Sequence, residues 1–109
     1  VSNRVIKETR ILAEDEIIDI SVTQVPKSSK IPHGVRYSFN YRVKTGEEWR
    51  TLIRFDNAHA VKGHNKRNHK HMFENEIQEI EFNSPKELIA ELLRLIEYNR
   101  RRIDEIKRC

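Results

Sequence analysis

The sequence predicts an α+β domain, an antiparallel meander sheet of about five strands packed against one long C-terminal helix. Three observations lead there. Segments with two-residue apolar periodicity occupy residues 5–82, and one segment with three- and four-residue apolar spacing follows from Pro85 to roughly Lys107. The 109 residues suit a single core, so one domain over residues 1–109 is expected.

Taken in order, Val5 to Ala13 and Ile17 to Val25 are rich in β-branched residues and separated by Glu14-Asp15-Glu16, which predicts a hairpin with Ile18, Ile20 and Val22 facing the core. Pro26 to Gly34 holds two prolines, two serines and a glycine, a loop composition that stops strand pairing. In Val35 to Val43 every odd position is apolar or aromatic and every even position polar, the pattern of a half-buried strand. Lys44-Thr-Gly46-Glu-Glu predicts a hairpin turn. Trp49, Thr51, Ile53 and Phe55 then continue the alternation, with Arg50, Leu52 and Arg54 on the opposite face. His69 to Phe73 and Ile77 to Phe82 supply one more strand or a short hairpin. Ser84-Pro85-Lys86-Glu87 marks a helix start: a capping serine, proline where no N–H is needed, and glutamate three residues after the cap. Leu88, Ile89, Leu92, Leu93, Leu95, Ile96, Ile103 and Ile106 form its apolar stripe. After Arg100 the stripe thins, so the last turns are expected to project as a basic arm or to meet a partner chain, a homo-oligomer included.

Composition narrows the class. Hydrophobic residues make up 37% and charged residues 35%, which fits a folded domain with a charged surface. No run approaches the ~18 apolar residues of a membrane span, and the first residues carry no leader pattern, so a cytoplasmic location without membrane contact is expected. The one cysteine, Cys109, excludes an internal disulfide and a four-ligand thiolate zinc site. Net charge is +4 with a pI near 9.4, gathered at Lys62 to Lys70 and again at Arg100, Arg101, Arg102, Lys107 and Arg108. There is no repeat, glycine-rich phosphate loop, CxxC or HExxH motif.

The window Arg54-Phe-Asp-Asn-Ala-His59-Ala-Val-Lys-Gly-His64-Asn-Lys-Arg-Asn-His69-Lys-His71 contains four of the five histidines. Past Phe55 it has no apolar side chain larger than Val61, so packing is not its main purpose. Imidazoles move protons near neutral pH, and lysine and arginine hold phosphates. Three readings compete. Histidines and an arginine suffice to cleave RNA through its own 2′-hydroxyl, with one base, one acid and a cation for the phosphoryl oxygens. Alternatively His59, His64, His69 and His71 with Asp56 ligate a transition metal, although their spacing matches no closed zinc pattern. The third is a solvated loop whose histidines only bond backbone. In a strand, His69 and His71 point to one face.

Gly34-Val-Arg-Tyr37-Ser38-Phe-Asn-Tyr41, then Ile53-Arg54-Phe55-Asp56-Asn57-Ala58-His59 and His69-Lys70-His71, resemble the TumE family of toxins from toxin–antitoxin pairs. The chain departs from that pattern at Phe55, where tyrosine is usual, and in the residues around His64, where an adjacent histidine and proline often occur. The resemblance implies a growth-inhibiting toxin acting on RNA, neutralised by a cognate antitoxin protein in a type II pair, and it points to Arg54, Asp56, Asn57, His59, His69 and His71. Together with the residue chemistry it yields one preferred reading, a metal-independent ribonuclease with no cofactor. His59 and His71 are the acid–base pair, with His69 as substitute; Asp56 orients an imidazole, and Arg54 neutralises phosphate. Lys62, His64, Lys66, Arg67, Lys70 and Asn57 bind substrate, Asn57 chiefly by shaping the turn. The alternatives are a non-catalytic nucleic-acid-binding or regulatory protein and a metal-dependent histidine-cluster enzyme.

Overall fold

Among the described residues, six antiparallel strands lie side by side in chain order: β1 (Val5–Ala13), β2 (Glu16–Gln24), β3 (Val35–Thr45), β4 (Glu48–Asp56), β5 (His69–Met72) and β6 (Glu76–Glu79). Helices α1 (Pro85–Tyr98) and α2 (Arg100–Lys107) follow. The structure, a computed structural model, describes residues 5–57, 68–73 and 76–108. The α+β class holds, with two corrections. The sheet has six strands rather than about five, because the His69 segment forms a hairpin with β6 instead of standing alone. The helix is two helices, because Asn99 leaves helical geometry at φ −100° and ψ 15°. Its side-chain amide donates to the Leu95 carbonyl at 2.8 Å, so the polar side chain competes with the backbone ladder at the break.

One sheet face is apolar and covered. Ile18, Ile20, Tyr37, Phe39, Tyr41, Val43, Ile53, Phe55 and Met72 meet Leu88, Leu92, Leu95, Ile96 and Ile103 from the helices. The serine cap forms as the sequence predicts, Ser84 Oγ accepting from the Glu87 N–H at 3.1 Å. The helices pack on β3 and β4, whereas β1 is exposed at all but its last residue. Among the described residues no helix is long and apolar enough to cross a membrane.

The strand β4 departs from simple alternation. Tyr41 pairs with Ile53 while Arg42 pairs with Thr51, so Leu52 is an extra residue, a β-bulge. Beyond it the phase reverses. Ile53 and Phe55 are fully buried on the helix face, but Trp49 lies on the other face, where the Arg42 guanidinium stacks 4.9 Å from its ring centroid. The expectation that Trp49 continues the core stripe is thereby corrected. The Leu52 carbonyl accepts from the Phe73 N–H at 2.6 Å, and Phe73 takes the left-handed φ of 50°, uncommon for a bulky side chain. The Arg102 guanidinium lies 3.8 Å from the Phe73 ring centroid and covers it.

The C-terminal residues do not project as a basic arm. Glu16 is buried at the start of β2, and Arg100 Nη1 donates to both of its carboxylate oxygens at 2.8 Å while Lys107 Nζ donates at 2.9 Å. The Tyr41 hydroxyl donates to the same carboxylate. Burial opposes ionisation, yet the hydrogen bonds from Tyr41, Lys107 and Arg100 outweigh it and hold the Glu16 pKa down to about 2. Burial and the Glu16 carboxylate push the Tyr41 phenol up in turn.

Candidate nucleic-acid site on the open sheet face

β4 and β5 set Arg54 opposite His71 and Asp56 opposite His69. Residues that face each other in an antiparallel pair share a side of the sheet, so these four lie on the sheet face turned away from the helices. Ser38 stands opposite Asp56 and Asn40 opposite Arg54, which extends the polar surface onto β3. A shallow hollow of about 310 Å³ continues it toward β1, lined by Lys7, Thr9, Asp19, Ser21, Ser38 and Asn40 among others.

Asp56 is the centre of the charge arrangement. Its Oδ2 is 2.9 Å from Arg54 Nε and 3.9 Å from His71 Nε2; the first is an ion pair and the second an electrostatic contact beyond hydrogen-bond length. The Asp56 side chain is 9% exposed, His71 23% and Arg54 45%, so a dissolved ligand meets the cation and the imidazole before the carboxylate. Burial and the nearby Arg54 charge lower the His71 pKa below its ordinary 6.5, against the opposing pull of Asp56. The imidazole is therefore predominantly neutral at neutral pH, the form that accepts a proton. The rings of His69 and His71 lie 6.4 Å apart, and His69 is fully buried.

The remaining expected site residues divide into three groups. Lys70, between the histidines, points to the helix side by strand alternation, where it lines a pocket with Glu87 and Glu91; the pairing does not bring it to the histidine face. Asn57 is buried, its Oδ1 accepting from the Tyr37 N–H at 3.0 Å and its Nδ2 donating to the Val35 carbonyl at 2.7 Å. Both ends of that side chain fasten the exit of β4 to the start of β3. His59, Lys62, His64, Lys66 and Arg67 lie outside the described residues. Among the described residues, no group of three histidine, cysteine, aspartate or glutamate side chains is gathered so that it could hold a metal ion.

Ser38 and Asn40 were not singled out from the sequence, although they border Asp56 and Arg54 directly. The even-position polarity of residues 36–42 carried that signal, because those positions must face away from the core. Asn68 is a further one. Its Oδ1 accepts from the Tyr37 hydroxyl at 2.7 Å, and its carbonyl accepts from the Ile80 N–H at 2.9 Å, so it anchors the start of β5 to the core.

In a comparison with known proteins, the chain matches the family model described as Toxin TumE over residues 2–100. No curated protein and no solved structure matches it.

Proposed function

This chain belongs to the TumE toxin family, and on that premise we propose that it is the toxin of a type II pair and inhibits growth by cleaving RNA. Membership of a toxin family implies an antitoxin partner. The observation that carries the RNA reading is the Arg54–Asp56–His71 group: a half-exposed guanidinium paired to a buried carboxylate, with a partly exposed, predominantly neutral imidazole 3.9 Å from the same oxygen, on the sheet face turned away from the helices.

The chemistry follows from what each group does best. The RNA 2′-oxygen attacks phosphorus as a base removes its proton; the P–O5′ bond breaks as an acid protonates the departing oxygen, leaving a 2′,3′-cyclic phosphate. His71 is one partner of that pair and His59 the other. His69, being fully buried, supports its neighbour rather than meeting substrate. Arg54 stabilises charge developing on the non-bridging oxygens, and Asp56 orients the imidazole and holds Arg54 in place. Lys62, His64, Lys66 and Arg67 supply phosphate contacts, and the antitoxin covers the Arg54–His71 face with acidic groups. No step in this scheme requires a metal.

The test is a single experiment with two readouts. Induced alone, the chain should arrest growth, and the purified protein should convert RNA to fragments ending in cyclic phosphate, with activity retained after chelation. Growth arrest without RNA fragments, equally strong in His71→Ala, would replace the nuclease with a non-catalytic nucleic-acid binder. Activity abolished by chelation and restored by one added metal would turn the histidines into ligands.

A further inference from the structure

β1 is an edge strand of nine residues that none of the described residues covers. Its exposed apolar side chains are large: Ile11 is 74% exposed, Ile6 57%, Val5 54% and Leu12 41%. The opposite edge, β6, is built otherwise, with four residues, Glu at both ends and Glu76 paired to Arg102. Short, charged edges of that kind discourage pairing with another chain, whereas a long edge with unused backbone donors and acceptors invites it.

We propose that β1 is a homodimer interface, pairing antiparallel with β1 of a second copy about a two-fold axis through Thr9. The strand is self-complementary in that register. Thr9 faces Thr9 of the partner copy, Glu8 faces Arg10 and Lys7 faces Ile11, each of the last two pairings occurring twice, and the β-bulge between Ile11 and Ala13 bounds the matched segment. Within one chain Glu8 and Arg10 already form an ion pair at 2.8 Å; across the axis each carboxylate meets a second guanidinium. Moving the axis one residue either way sets Glu8 against Glu8 or Arg10 against Arg10, and like charges directly opposite are destabilising. An axis through a residue keeps both helix layers on one side of the joined sheet. The Arg54–His71 surface on β4 and β5 then stays open in both copies, three strands from the junction, so the inference does not depend on the RNA reading.

The register makes the test specific. Sedimentation of the purified chain over a range of concentrations should show a monomer–dimer equilibrium. Glu8→Arg opposes two guanidinium pairs and should raise the dimer dissociation constant about tenfold or more, and the double change Glu8→Arg with Arg10→Glu should restore it. Thr9→Lys, whose new ammonium can approach Asp19 across β1–β2, keeps the strand folded but sets two like charges on the axis, and it should leave a monomer with unchanged circular dichroism. A parent that is monomeric throughout, or a dimer indifferent to Glu8→Arg and Thr9→Lys, would overturn the proposal. So would a single swap not rescued by the double, since that would mean another register or another surface.

Discussion

Asp56 lies diagonally across the β4–β5 pair from His71, with 3.9 Å between Oδ2 and Nε2, and the oxygen that faces the imidazole is the one that Arg54 grips at 2.9 Å. One carboxylate oxygen therefore sits between a permanent cation and a titratable one. Burial disfavours imidazolium first, and the Arg54 charge adds to it against the pull of Asp56, so His71 is tuned toward its neutral form.

Replacing His71 with alanine should lower RNA cleavage about 10²–10⁴-fold, the usual contribution of a positioned acid or base. The side chain is partly exposed and outside the helix-side core, so folding should be retained. Single-turnover cleavage of a short RNA, alongside thermal unfolding, checks both halves. Parental cleavage by His71→Ala would remove the assignment.

The charge arrangement predicts opposite shifts from two neutralising changes. Arg54→Gln removes a cation that disfavours imidazolium and should raise the His71 pKa; Asp56→Asn removes the anion that favours it and should lower the pKa further. NMR titration of the histidine ring protons reads both. In the parent, if His71 acts as the base, activity should fall with acid only below about 6.5, the ordinary histidine value. Shifts of the same sign in the two variants would refute the arrangement.

Glu16 sets the acid stability. Its folded pKa of about 2 lies below the ordinary 4.5, so in between the unfolded chain binds the extra proton. The stabilisation is complete above about 4.5 and is lost as pH falls toward 2, in all roughly 3 kcal/mol at 1.36 kcal/mol per unit. Denaturant unfolding between pH 5 and pH 2.5 should show that slope, and Glu16→Gln should flatten it. Arg100→Ala should cost about 1–2 kcal/mol at neutral pH, less than breaking a fully buried pair, because Lys107 remains on the carboxylate.

Binding of single-stranded RNA should weaken with salt at a log–log slope of about −0.7 for each phosphate contact. Lys66→Ala and Arg67→Ala should each flatten the slope by about that amount, while Lys70→Ala, on the helix side, should leave it unchanged. Fluorescence anisotropy at several salt concentrations makes the comparison. An equal loss on changing Lys70 would mean that RNA wraps the sheet edge.

Much of the fold was legible because periodicity reports directly which face a side chain occupies. The alternation of Tyr37, Phe39, Tyr41 and Val43 and the Ser84 cap both appear as expected, and His69 and His71 share a face. Trp49 was misplaced because one extra residue reverses the phase, and the only local sign was the adjacent apolar pair Leu52-Ile53. The Asn99 break was hidden because apolar spacing runs on through Ile103 and Ile106, while the bend depends on one amide–carbonyl bond. Glu16 read as one of several acids in a turn. Nothing local to it announces partners 84 and 91 residues away.

Those separations also bear on the order in which a nascent chain can become a finished fold. The meander closes by pairings between successive strands, which form early and locally, but the carboxylate at the head of β2 has neither its cations nor its cover until α2 has been made and docked. On a ribosome, the protein would pass through a sheet-first species whose apolar face is still uncovered by the helices, a natural target for a chaperone or protease. The basic residues of the final helix thus act as a latch that only a fully translated α2 can fasten.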